Sequence, residues 1–96
     1  MKITLDKTEN TLNISLDGRL DTNTAPEFES LVAENCKGAG EMIINCKKLA
    51  YVSSAGLRVL LFAQKKMGGN IKLVNVCDLV MEIFEITGFT EILTIE

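Results

Sequence analysis

The chain has 96 residues and a formal net charge of −3, which suits one domain that buries roughly 60–70% of its unfolded surface without disulfides or metals. The negative charge disfavours nucleic acid as a partner, because binding to phosphates needs a basic face. No apolar run approaches the roughly 20 residues of a membrane span, and the alternating amino terminus is unlike a signal peptide. We therefore expect a cytoplasmic protein with no membrane association.

The cysteines indicate neither a metal site nor a redox motif. Cys36, Cys46 and Cys77 are far apart, and the chain has no histidine, so zinc-ligand spacing is absent. We expect all three to be small buried side chains in a reducing compartment.

The first predicted element is a β-hairpin. Ile3 and Leu5 alternate with polar residues, and after the polar turn at 7–10 the same alternation continues in Leu12, Ile14 and Leu16. This period of two is typical of strands with one buried face. We expect the hairpin to end at Gly18, followed by a loop over 19–23.

A helix should follow this loop. Thr24 and Glu27 have the spacing of a capping box, and Pro26 suits a first helical turn. Apolar or small residues then recur at helical spacing, which predicts a core-facing stripe made by Phe28, Leu31, Val32, Asn35 and Cys36. Gly38 and Gly40 are expected to terminate the helix.

The segment 41–67 is the centre of the chain. We predict a buried strand over 42–46, a polar connection through 48, and a helix over 57–67 with Ser53 and Ser54 at its start. Serine is a preferred N-cap, because its oxygen accepts a backbone N–H that the first turn leaves unpaired. Such a helix start also favours negative charge, so an added phosphate would be tolerated there.

The last third predicts another strand over 71–76 and a third helix. Asp78 is expected as its N-cap, Gly88 as its end, and 92–95 as a final strand or extended tail. The expected core stripe is Leu79, Ile83 and Ile86, with Glu82 and Glu85 on the solvent side. Strands that alternate with helices predict an α/β domain with a mixed, mostly parallel sheet. Functional loops in such sheets lie at the carboxyl ends of strands, where Ser53 and Ser54 fall.

Three motifs resemble those of one known family. Residues 51–61 read Tyr-Val-Ser-Ser-Ala-Gly-Leu-Arg-Val-Leu-Leu, 18–21 read Gly-Arg-Leu-Asp, and 83–89 read Ile-Phe-Glu-Ile-Thr-Gly-Phe. Together they resemble the bacterial anti-sigma-factor antagonists, which are small STAS domains. The resemblance implies that 1–96 form one STAS domain, with an amino-terminal hairpin in a mixed sheet and three or more helices packed on it.

The resemblance assigns the phosphorylated serine of that family to Ser54. This chain departs from the family motif in three places: Ser53 replaces the usual aspartate, Ala55 replaces a second hydroxyl residue, and Arg58 replaces a frequent glycine. Asp21 matches an acidic loop residue that lies near the phosphorylated serine in that family. Aspartate is also common in loops for structural reasons, because its side chain accepts hydrogen bonds from the nearby backbone.

The expected partner-binding surface comprises Asp21, Ser53, Ser54, Ala55, Gly56, Arg58, Val59 and Phe62. For four of these residues, a purely structural role is the alternative to partner binding. Ser53 is expected to be a structural cap, and Arg58 could be a solvated helix residue one turn after Ser54. Val59 and Phe62 lie off the predicted apolar stripe, so they could reach a partner or pack against a neighbouring helix.

The implied function is that of an anti-sigma factor antagonist. Unphosphorylated, it would bind an anti-sigma factor with serine kinase activity and release a sigma factor. Phosphorylation of Ser54 would reverse binding, and a phosphatase would reset it; no cofactor is implied.

Two alternatives remain open. One is a non-switching STAS scaffold or accessory subunit of a stress-signalling or lipid-transport complex. The other is a small serine hydrolase, which is disfavoured because a nucleophilic serine needs a base and the chain lacks histidine.

Overall fold

A five-stranded mixed sheet forms the centre of the computed structural model, which describes residues 1–96. Three α-helices and one 3₁₀ turn complete it, as the resemblance implied. In chain order, the elements are β1 (Lys2–Thr8), β2 (Thr11–Leu20), α1 (Ala25–Asn35), β3 (Glu41–Val52), α2 (Ser54–Lys66), β4 (Ile71–Val74), α3 (Asp78–Thr87), the 3₁₀ turn (Phe89–Glu91) and β5 (Thr94–Ile95).

The strands lie side by side in chain order, β1-β2-β3-β4-β5. β1 and β2 form the predicted antiparallel hairpin, and each later pair is parallel. Because each crossover moves one strand in the same direction and such crossovers are right-handed, the three helices share one face of the sheet. The strand residues that alternate toward that face are almost fully buried, namely Leu12, Ile14, Leu16, Met42, Ile44, Ile71 and Leu73.

Two strands extend further than the sequence predicts. β2 continues through Gly18 to Leu20, and β3 continues through the polar residues 45–48 to Val52. Register shifts between β2 and β3 accommodate the extra residues as bulges, and Gly18 takes a φ of +118° that glycine adopts at no steric cost. The predicted end at Gly18, the predicted loop at 19–20 and the predicted polar connection at 47–48 were therefore wrong. As a result, Leu20 and Val52 pair at the carboxyl ends of neighbouring strands.

The apolar stripe of α1 is confirmed in its central members, since Phe28 and Val32 are fully buried. The capping box was wrong. Thr24 is the N-cap residue, but its hydroxyl donates to the Arg19 carbonyl at 2.7 Å and accepts from the Asp21 N–H at 2.9 Å. These loop contacts occupy the hydroxyl that would otherwise cap the helix.

The predicted core face of α3 was wrong for Leu79 and Ile86, although Ile83 does pack against the core. Val80 and Phe84 are fully buried, whereas Leu79 and Ile86 are 52% and 77% exposed. Cys77, rather than the predicted Asp78, is the N-cap residue, and Asp78 occupies the first helical turn, where a carboxylate suits the helix dipole.

The carboxyl end of α3 and the final strand follow the predictions. Gly88 ends the helix in the left-handed conformation, with φ +79°. Thr94–Ile95 form the short final strand beside β4.

The cysteines differ in burial. Cys46 is buried as predicted, Cys36 is half-buried, and Cys77 is exposed, which contradicts its expected burial. Burial, together with the neighbouring Cys77, raises the pKa of the Cys46 thiol to about 12. No group of three or more metal-ligating side chains comes together, and none of the helices has the length and apolar character that a membrane crossing requires.

Candidate functional site at the start of the second helix

Ser53 and Ser54 join the end of β3 to the start of α2. Ser53 is the N-cap, as predicted: its backbone is extended and its Oγ accepts from the Gly56 N–H at 3.4 Å. The Ser53 N–H donates to the Leu20 carbonyl at 2.9 Å, which ties this junction to the end of β2. Ser54 is the first residue of α2 and is exposed.

The surroundings of Ser54 suit a negative charge. A helix leaves its first backbone N–H groups without intrahelical partners, and the aligned peptide dipoles add partial positive charge there. In α2 the Ser53 side chain satisfies the N–H of Gly56, while those of Ser54 and Ala55 donate to no backbone carbonyl. The first turn of α2 contains no acidic residue that would repel an anion.

Gly56 holds this helix start close to the sheet. A Cβ atom at Gly56 would lie 2.7 Å from Leu20 Cγ, 2.8 Å from the Leu20 carbonyl oxygen and 3.0 Å from Val52 Cγ1. Only glycine allows this approach without movement of the helix. Gly56 is buried, so its observed role is in the packing beneath the site. Its expected contact with a partner stays a prediction.

The loop between β2 and α1 lies at the same sheet edge, and Asp21 organises it. Asp21 Oδ1 accepts from the N–H groups of Asn23 at 3.0 Å and Thr24 at 3.2 Å. Burial alone would raise the pKa of Asp21. The backbone N–H groups of Asn23 and Thr24, the Thr24 hydroxyl and the Arg19 guanidinium outweigh it and lower this pKa. Asp21 is thus an ionised carboxylate whose hydrogen bonds shape the loop next to Ser53.

A shallow groove of about 410 Å³ opens between α1 and α2, next to Ser54. Its walls come from the start of α1 and the first two turns of α2, with the lining residues Thr22, Ala25, Pro26, Glu29, Ala55, Arg58 and Val59. Arg58 is exposed and takes part in none of the three ion pairs of the structure. Its charge is therefore available to an anion that approaches from solvent.

The other two expected surface residues differ. Val59 is only 5% exposed and packs in the core, as the packing alternative describes; its contact with a partner stays a prediction. Phe62 is half-buried, and the Lys66 ammonium lies 5.6 Å from its ring centre. The structure thus groups Asp21, Ser53, Ser54, Ala55 and Arg58 at one edge, with Phe62 two turns along α2.

One contact that flanks the site was not predicted from the sequence. Arg19 and Tyr51 are register partners on β2 and β3, and the Arg19 guanidinium carbon lies 4.3 Å from the Tyr51 ring centre. Such stacking is a cation–π contact. This contact could not be predicted from the sequence, because Arg19 and Tyr51 become partners only when both strands extend beyond their predicted ends.

Comparison with known proteins places this arrangement in a family. The sequence pattern of the STAS domain matches residues 2–96. The chain belongs to the STAS domain family.

Two bacterial relatives of this STAS domain are named as anti-sigma factor antagonists. BtrV of Bordetella bronchiseptica, whose name assigns it to the anti-sigma factor antagonists, is 36% identical over 96% of this chain and 83% of its own. The anti-sigma-B factor antagonist of Bacillus subtilis is 29% identical over 99% of this chain and 92% of its own.

Solved structures share the fold of this STAS domain. The Bacillus anti-sigma factor antagonist SpoIIAA in its unphosphorylated form has a TM-score of 0.77 at 18% identity, over 99% of this chain and 87% of its own. Its phosphorylated form has a TM-score of 0.76 at 19% identity, over 99% and 91%. At these identities the likeness concerns the fold alone.

Proposed function

We propose that this STAS domain is a cytoplasmic anti-sigma factor antagonist controlled by phosphorylation of Ser54. In the unphosphorylated state it binds an anti-sigma factor with serine kinase activity, so that a sigma factor is released for transcription. The observation that carries this proposal is the position of Ser54, which is exposed at the first position of α2 next to its structural cap Ser53. The names of the bacterial relatives support the same role.

The charge of the phosphate on Ser54 is what would prevent partner binding. A phosphate on Ser54 adds about −1.5 to −2 charge, which takes the net charge from −3 to roughly −5. The free protein tolerates this charge, because the start of α2 offers unpaired N–H groups and the positive end of the helix dipole. A partner that covers Ser54 would have to bury the charge, which is costly unless the charge is paired. Phosphorylation therefore favours the unbound state, and a phosphatase restores binding.

Arg58 gives the switch a second component. It lies four residues after Ser54, on the same face of α2, and it forms no ion pair within the protein. In the unphosphorylated state the guanidinium meets an acidic surface of the anti-sigma factor. After phosphorylation it turns back to the phosphate, since its donor fork suits such an anion. Phosphorylation then adds a repulsive charge and withdraws an attractive one.

The first experiment locates the phosphate. Incubation with the cognate kinase and ATP should add one phosphate to Ser54, as mass spectrometry of the digested protein detects, and Ser54→Ala should abolish it. Ser53→Ala is the matched control: it removes the cap and should cost about 1 kcal/mol of stability, yet keep the phosphoacceptor. Phosphate on Ser53, or none on either serine, would contradict the assignment.

One departure from the family motif favours a second candidate, a STAS scaffold that does not switch. Ser53 replaces an aspartate that could position the magnesium ion of a kinase. A scaffold would bind its partner equally well before and after treatment with the kinase. Serine hydrolase activity would instead appear as ester hydrolysis that is lost in Ser54→Ala.

A further inference from the structure

The outward face of α3 and the turn after it expose apolar side chains. The exposed large hydrophobic residues of the whole chain are Leu79 at 52%, Ile86 at 77% and Ile92 at 42%. Single exposed apolar residues are ordinary on protein surfaces. These three, however, all fall within the last 18 residues, and two of them share one helix.

The two residues on α3 form a stripe. Leu79 and Ile86 are seven residues apart, which is about two helical turns, so they lie on the same side of the helix. Ile83 lies between them at the i+4 position from Leu79 and is half-buried. The core already receives Val80 and Phe84 from another side of α3. Ile83 also packs against the core, so the unpacked part of the stripe is Leu79 and Ile86.

Acidic side chains run beside this stripe. At 100° per residue, Asp78, Glu82 and Glu85 fall on the side of α3 next to Leu79 and Ile86, away from the core, and all three are exposed. The chain contains no lysine or arginine after Lys72. The face is thus half apolar and half acidic, and none of its three carboxylates takes part in an ion pair.

Charge decides which partner fits. A second copy of the chain that docked through the same face would bring the same acidic row, and like charges across an interface are repulsive. Nucleic acid and anionic lipid are repelled for the same reason. An amphipathic helix with lysine or arginine beside its apolar stripe satisfies both halves of the surface, as in other helix recognition modes.

We propose that α3 docks a basic amphipathic helix of a partner protein, with Leu79, Ile83 and Ile86 against its apolar stripe and Asp78, Glu82 and Glu85 against its basic residues. This surface goes beyond the proposed function, because it involves neither Ser54 nor the groove between α1 and α2. α3 packs against β3 and the 3₁₀ turn, and none of its residues lines the groove between α1 and α2. The two surfaces can therefore be tested separately.

The test uses a synthetic helical peptide with a leucine stripe flanked by lysines, and a matched peptide in which glutamates replace the lysines. Binding to isotope-labelled full-length protein is followed by NMR. The lysine peptide should shift the amide signals of 78–86, weaken with added salt, and bind at least tenfold more tightly than the glutamate peptide. Shifts confined to other elements, no binding, or equal binding of both peptides would overturn the proposal.

Variants separate the two halves of the surface. Ile86→Lys and Glu82→Lys should each weaken the lysine peptide about tenfold, whereas Glu34→Lys on α1 makes the same charge change as Glu82→Lys away from the surface and should not. Thermal unfolding checks that each variant is folded, which is expected because all three side chains are exposed. Equal effects of Glu34→Lys and Glu82→Lys would show a net-charge effect only and overturn the proposal. Self-association of the wild type that Ile86→Lys abolishes would assign the face to a second copy instead.

Discussion

Gly56→Ala tests how closely α2 must approach the sheet. Helix propensity alone predicts that alanine stabilises this helix by about 1 kcal/mol over glycine. The packing predicts the opposite sign, because the new methyl group would lie 2.7 Å from Leu20 Cγ and 2.8 Å from the Leu20 carbonyl oxygen. The side chain of Leu20 could turn aside, but the carbonyl oxygen belongs to the backbone at the end of β2.

The two effects differ enough in size to decide the sign. Overpacking of a well-packed site costs about 1–3 kcal/mol, and a backbone contact that cannot relax places this site in the upper half, at about 2–3 kcal/mol. Subtraction of about 1 kcal/mol for the better helix former leaves a net loss of about 1–2 kcal/mol. The helix start should also shift outward, carrying Ser54 with it.

Urea unfolding followed by circular dichroism measures this difference. The midpoint should fall in Gly56→Ala with an unchanged slope. Arg58→Ala, at an exposed position of the same helix, should change stability by no more than about 0.5 kcal/mol. An unchanged or higher midpoint in Gly56→Ala would show that the close approach does not constrain the helix, and the explanation of Gly56 would be wrong.

Three further predictions concern Asp21, the cysteines and Arg58. Asp21→Asn should destabilise the protein above about pH 4, because the folded-state pKa of Asp21 lies below its ordinary value of 3.8. The difference in stability between Asp21→Asn and wild type should vanish as the pH falls through that lowered pKa, which urea unfolding over pH 2–7 would detect. A thiol reagent at neutral pH should label the exposed Cys77 quickly and the buried Cys46 only on unfolding; equal rates in the native protein would refute the burial of Cys46. A double-mutant cycle between Arg58→Ala and Ser54 phosphorylation should show coupling. Arg58→Ala should weaken partner binding of the unphosphorylated form by about 1 kcal/mol or more, and phosphorylation should reduce the affinity of the mutant less than that of the wild type. Additive effects would make Arg58 a solvated residue.

The sequence predicts the order of elements well, because hydrophobic periodicity follows directly from burial. The alternation of Leu12, Ile14 and Leu16 and the helical spacing of Phe28 and Val32 leave one way to face a common core. The Ser53 cap was predictable for a similar reason, since a helix start requires a local acceptor. Strand ends were not predictable, because the bulges that extend β2 and β3 depend on pairing between segments distant in the chain.

Two errors show where local patterns become ambiguous. In α3 the stripe through Leu79, Ile83 and Ile86 and the stripe through Val80 and Phe84 both have helical spacing, and only the sheet beneath the helix selects the second. At α1 the capping-box pattern is present, but the Thr24 hydroxyl bonds to the preceding loop instead. The position of Ser54 was predictable from its motif, whereas the buried roles of Gly56 and Val59 required the packing of α2 against its neighbours.

The affinity for the anti-sigma factor, measured by titration calorimetry before and after phosphorylation of Ser54, tests the central proposal most directly. We predict that the unphosphorylated protein binds and that phosphorylation weakens binding by roughly 10²–10⁴-fold, since an unpaired charge in an interface costs about 3–5 kcal/mol. Ser54→Ala, treated identically with kinase and ATP, should keep the affinity of the unphosphorylated form. Equal affinity of the phosphorylated and unphosphorylated wild type would contradict the switch and favour the scaffold.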